Sequence, residues 1–186
     1  LWPLVKSLNF YKKNVYSQLG EDGILEVISP FLNKDVNDMF LIEFGAWDGI
    51  HLSNTFNLIE KGASSLLIEA DKNRFQDLLK TADKFPKIIP QNIFVESDGN
   101  NSLDNILKKL KLQNQEVDIL SIDIDSSDNL SIWKSTEIEP SILVIEFDTR
   151  FLPFETSESL ENNKVMTHNL FFDTFKYTKS KGYKLI

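Results

Sequence analysis

Carboxylates stand where apolar runs end. Glu43 and Asp48 lie in LIEFGAWDG (41–49), Glu69 and Asp71 close SLLIEAD (65–71), and Asp123, Asp125 and Asp128 close VDILSIDIDSSD (117–128). Glu146 and Asp148 close SILVIEFD (141–148), with Arg150 just beyond. Carboxylates so placed can accept hydrogen bonds from a ribose diol or an amine. They can serve as a general base once burial or a like charge raises the pKa. They can also hold a hard divalent cation. Asp123 and Asp125 are two residues apart on a strand pattern, so they are expected to share a face and to titrate as a pair.

The first of these stretches narrows the ligand. GAWDG contains no GKS or GKT and does not follow GxGxxG, so neither a polyphosphate nor a dinucleotide cradle is written there. An acid precedes the turn and another sits inside it, which suits a cationic or zwitterionic ligand. Glu69 follows one element later, where an acid suits the two hydroxyls of a ribose. Together these point to a nucleoside carrying a charged amino-acid tail.

Alternating elements must position these residues. Strand patterns fall at 39–44, 65–70, 86–95 (interrupted by Pro90, hence short or at an edge), 117–124 and 141–147. Helical patterns fall at 21–29, 51–62, 72–85, 102–112, 128–136 and 170–182. In the second helix Leu52, Phe56 and Ile59 share a face, and Gly62 ends it as a left-handed C-cap. In the third, Phe75, Leu78, Leu79 and Ala82 point inward. Ser102 and Asp128 are placed as N-caps. Residues 151–167 read as a long polar loop, and YKLI (183–186) reads as the start of a sixth strand. Strands that are nearly continuous apolar runs belong to a sheet covered on both faces. The expected fold is therefore α/β, a doubly wound, mostly parallel Rossmann-like sheet. Residues 1–38 form an N-terminal helical segment over the site, and 39–186 form the α/β domain, which reads as cut short at its C-terminus.

Composition bounds the rest. The 186 residues carry 28 acids and 20 bases, a formal charge of −8, without a clustered basic face that would fit nucleic acid. There is no cysteine, which excludes disulfides, thiolate ligands and a thiol nucleophile and fits a reducing compartment. No apolar run is long enough to span a bilayer, and LWPLVKSLNF lacks the features of a secretory signal. A cytoplasmic setting is expected, with a small-molecule acceptor as partner, no nucleic acid, no membrane span and a homo-oligomer open.

The pieces YSQLGEDGIL (16–25), LIEFGAWDGIHLSN (41–54), LLIEAD (66–71), DILSIDIDSSDNLSIW (118–133) and ILVIEFD (142–148) resemble the S-adenosylmethionine-dependent methyltransferases of the doubly wound class. Within that class they are similar to the FkbM-type group. The resemblance implies O-methylation of a small polar or sugar-like acceptor. It implies that Glu43, Gly45, Ala46, Trp47, Asp48, Gly49 and Asn54 surround the cofactor. Glu69 would take the ribose hydroxyls with Ala70 beside it, residues from Ile93 to Asp98 would flank the adenine, and Gln18 and Glu21 would close over the site. Asp123, Asp125 and His168 would be the catalytic candidates. The group carries a glycine after the strand-four acids where Ser126 and Ser127 stand here, and an aromatic where Asn129 stands.

Other readings compete. Asp123, Asp125, Asp128 and Glu146 are oxygen ligands of the kind a divalent metal takes, although Asp128 reads better as a helix cap. His51 reads as a surface residue before it reads as a base. Trp47, between two glycines, faces the cleft or anchors the core. Arg150 either holds an anionic acceptor or pairs with Asp148 or Glu155. A NAD-dependent enzyme, a silent cofactor-binding domain and a ligand-free interaction protein are the alternative functions.

Overall fold

The computed structural model describes residues 8–124, 128–148, 150, 153, 155–156 and 170–185. Five strands form one sheet, β1 (Phe40–Phe44), β2 (Ser64–Ile68), β3 (Ile88–Gln91), β4 (Ile119–Ile122) and β5 (Ile142–Ile145). Every pairing is parallel and the order is β3-β2-β1-β4-β5. Helix α1 (Glu21–Ile28) precedes β1, and α2 (Phe56–Glu60), α3 (Lys72–Ala82), α4 (Leu103–Lys109) and α5 (Asn129–Ser135) lie between successive strands. Helix α6 (Phe171–Ser180) follows β5. This is the doubly wound α/β arrangement expected from the alternating patterns.

Parallel strands bury both faces, and the two cores follow from the period of two. Leu41, Leu67 and Ile119 pack against Leu25 of α1, Phe56 and Ile59 of α2 and Leu78 of α3. Ile42, Leu66, Ile68 and Leu120 pack on the other side against Leu103 and Ile106 of α4 and Trp133 of α5. Phe75 and Ala82 of α3 are half-buried against the first core, as the helical spacing requires. Pro90 lies in β3, which among the described residues pairs only with β2, so its missing N–H costs no central ladder bond.

The second helix is shorter than its pattern. Expected over 51–62, it spans Phe56–Glu60. The Asp48 carboxylate accepts from the N–H groups of Ile50 (2.9 Å) and His51 (2.7 Å), and Glu43 draws in residues 53–55. These side chains offer the backbone an alternative to the helix ladder. Leu52, expected inward, is instead left-handed at φ 59 and 40% exposed. Gly62 ends the helix as expected, at φ 113, with its N–H and that of Ala63 turning back to Ile59 and Leu58.

The sixth strand is not formed by Tyr183–Leu185. The Tyr183 ring stacks edge-on against Trp133 at 5.7 Å, and its hydroxyl donates to the Pro140 carbonyl at 2.5 Å. That anchorage holds this stretch to the helical layer instead of the sheet edge. Burial, with Glu139 adding to it, pushes the Tyr183 hydroxyl up to about 12. Ile186 and most of the polar stretch 151–167 lie outside the described residues.

The opening motif YSQLGED forms a knot around Asp22. This fully buried carboxylate accepts from the N–H groups of Val15, Tyr16 and Ser17 at 2.9, 2.7 and 2.7 Å. The Asp22 N–H donates to Ser17 Oγ in return. Helix α1 is thereby held against the chain that precedes it, and Tyr16 meets Phe56 edge-on at 4.8 Å.

Candidate functional site

The strand order reverses between β1 and β4, and open α/β sheets bind ligands in the crevice beyond the carboxyl ends at such a point. A cavity of about 260 Å³ opens there. Phe44, Gly45, Asp123 and Ile124 line it from the ends of β1 and β4. Ile68, Glu69 and Ala70 line it from β2. Arg74 of α3 and Ile93, Phe94 and Val95, which follow β3, complete the wall. The volume lies just under the usual range for small-molecule sites, which start at roughly 300 Å³.

Gly45 is required by the crevice. Its φ is 71, and a Cβ there would stand 2.3 Å from the Asp123 carbonyl oxygen. Only a residue without a side chain lets the loop after β1 run this close to the end of β4.

Glu69 is 5% exposed. One carboxylate oxygen accepts from the Trp47 N–H at 2.8 Å and the other from the Asp71 N–H at 2.7 Å. Each carboxylate oxygen has two acceptor sites, so among the described residues each keeps capacity for a ligand hydroxyl. Asn92 donates to the carbonyls of Glu69 (2.8 Å) and Ala70 (3.1 Å) and fixes that corner.

Glu43 faces the opposite way from the cavity-lining Phe44, on the side of Ser121, its register partner in β4. Its carboxylate is 3% exposed and accepts from the Ser53 hydroxyl at 2.7 Å, the Asn54 N–H at 2.9 Å and the Thr55 hydroxyl. Burial raises its pKa above the ordinary carboxylate value, the three hydrogen bonds oppose that, and the charge of Asp123 adds to it. Asn54 carries the connection onward. Its side-chain amide donates to Ser121 Oγ and to Asp123 Oδ2, both at 3.1 Å. Glu43 therefore shapes the loop, and the loop presents Asn54 to Asp123.

The remaining expected residues are distributed around this centre. Ala46 is buried and its N–H donates to Ile68. Gly49 is left-handed at φ 78, and a Cβ there would press on the Leu78 and Leu67 methyls. Trp47 is left-handed at φ 45 and half-buried, with the His51 ring edge-on at 4.9 Å and the Arg74 guanidinium over its face at 5.0 Å. Asp48 caps its own turn, and His51 is an exposed residue of that turn. Gln18 and Glu21 do not line the cavity: Gln18 is exposed and Glu21 accepts from the Leu19 N–H. Asp98 is exposed at the start of a short 3₁₀ turn. Asp128 sits at the N-cap of α5, Glu146 is exposed after β5, and Arg150 pairs with Asp148 at 2.6 Å. Asp125, Ser126, Ser127 and His168 lie outside the described residues.

The chain matches no protein-family model and no curated protein. Among the described residues no group of three or more His, Asp and Glu side chains could hold a metal ion, and no helix is long and apolar enough to cross a membrane.

Sequence reasoning missed Arg74, which stands in the first turn of α3 behind the Asp71 cap. The acid-to-helix junction after β2 was the signal available for it. It also missed Ser53 and Thr55, whose service to Glu43 depends on a loop shape that no periodicity encodes.

Proposed function

We propose that the chain is an S-adenosylmethionine-dependent methyltransferase acting on a hydroxyl of a small polar or sugar-like acceptor, in the cytoplasm. The observation that carries this reading is Glu69, a buried carboxylate on the wall of a switch-point cavity whose two oxygens each retain acceptor capacity. Two parallel acceptors at a strand end fit the vicinal hydroxyls of a ribose. Gly45 supports it indirectly, by letting the loop after β1 run against the Asp123 carbonyl so that the ends of β1 and β4 together wall the cavity. A cavity of about 260 Å³ suits one nucleoside better than a dinucleotide.

The bound cofactor supplies a methyl group activated by a sulfonium. The chain's own residues bind and orient. Glu69 would hold the ribose hydroxyls on its two carboxylate oxygens. Asp123 lies at the β4 end of the cavity, held by Asn54, where a carboxylate favours the cationic end of the ligand and can take up the acceptor's proton. Asp125 and His168 are the further candidates for that proton. The NAD-dependent reading draws no support from a first loop that lacks the glycine fingerprint.

Thermal unfolding tests the proposal. S-adenosylhomocysteine at about a hundred times its dissociation constant stabilises a binding protein by about 2.7 kcal/mol. Wild type is expected to shift upward in melting temperature and Glu69→Ala is expected not to. No shift in wild type would remove the proposal.

A further inference from the structure

The cavity contains a cation that a site for a sulfonium does not require. Arg74 lines it, yet among the described residues no carboxylate forms an ion pair with its guanidinium. Asp71, one turn before it, accepts at Oδ1 from the backbone N–H groups of Asn73 and Arg74 and acts on the guanidinium through its charge without an ion-pair contact. What positions the guanidinium is an aromatic face: its carbon stands 5.0 Å from the centre of the Trp47 ring. The indole is itself held, by the left-handed turn at residue 47 and by the His51 ring against it. A guanidinium resting on one ring has a second planar face to offer. Phe94 lines the same cavity and is 60% exposed, a large apolar ring left to solvent at the mouth of a site.

We infer that Arg74, backed by Trp47, is a specificity-determining residue that stacks on the nucleobase of the ligand, with Phe94 forming the other wall. The inference rests on the nucleoside reading above and adds a role for this chain's own residues. Stacking is the role that fits. The alternative for an arginine near a ribose is to bind a phosphate on its 2′-hydroxyl. Glu69 is in the same cavity and would repel that phosphate. A base has no charge to be repelled, and aromatic faces attract a cation.

Calorimetric titration of adenosine and of S-adenosylhomocysteine into the full chain tests this. Arg74→Ala is expected to weaken both ligands by the same factor, about tenfold, because the lost contact is to the part they share. Arg74→Lys keeps the charge but not the plane, and is expected to recover less than half of that loss on a logarithmic scale. Phe94→Ala, at an exposed position that folding does not need, is expected to weaken both ligands as well. The inference is overturned if Arg74→Ala binds as wild type does. It is equally overturned if Lys restores full affinity, if only S-adenosylhomocysteine is weakened, or if adenosine 2′-monophosphate binds more tightly than adenosine in an Arg74-dependent way. Failure of wild type to bind either ligand would instead bring down the cofactor reading and this inference with it.

Discussion

At the scale of the residue, the two buried glutamates do different work. Glu69 keeps acceptor capacity toward the cavity, whereas Glu43 is spent on Ser53, Asn54 and Thr55. The pKa of Glu43 is raised above its ordinary 4.5, chiefly by burial. A carboxyl group whose folded pKa exceeds the unfolded one binds more protons in the native state across that window. Stability therefore falls as pH rises from the ordinary carboxylate value through the folded one, then levels off. Glu43→Gln is expected to remove this fall, seen as urea midpoints that no longer drop across the window. An unchanged pH dependence in the variant would assign it elsewhere. The acids at strand ends were legible in the sequence because a period of two and the ends of apolar runs locate them. Their division of labour was not. It depends on which loop folds back onto which carboxylate, and Asn54 meets Asp123 across 69 positions of chain.

At the scale of the element, strands and helices followed their periods wherever side chains left the backbone free to do so. One exception is 51–55, where the apolar spacing of Leu52, Phe56 and Ile59 suggested one helix. Asp48 and Glu43 take up the N–H groups of Ile50, His51 and Asn54 with side-chain oxygens, and helical spacing cannot report that competition. Leu52→Gly discriminates the two conformations. At φ 59 a leucine costs about 1 kcal/mol that glycine does not, so the variant is expected to be as stable as wild type or more so in denaturant unfolding. In a helix interior the same change would cost about 1 kcal/mol. The YKLI stretch failed as a strand for a related reason. Its apolar character is shared by strands and by chain packed on a helical layer, and Tyr183 chose Trp133.

At the scale of the whole molecule, the sheet is tied at its amino end and carries its cavity at its carboxyl end. Asp118, at 1% exposure, accepts from the Phe40 N–H at 2.8 Å and pairs with Lys34 at 2.9 Å, joining the chain before β1 to the start of β4. Lys34→Met leaves that carboxylate without its cation and is expected to cost about 3 kcal/mol of unfolding free energy. The Asp118 hydrogen bond raises the Lys34 pKa, so its contribution is full below the ordinary 10.5 and is lost as pH rises through the folded value. Fold class and crevice were readable from alternation alone, because a parallel sheet has few ways to be wound. The acceptor side was not, since no periodicity governs 151–167. What the carboxyl end is built to hold is the central claim. The direct measurement is calorimetric titration of S-adenosylmethionine and of NAD into the same chain, with Glu69→Ala alongside. The account predicts saturable binding of S-adenosylmethionine, none of NAD, and loss of binding in the variant; no heat with S-adenosylmethionine, or equal binding by Glu69→Ala, would contradict it.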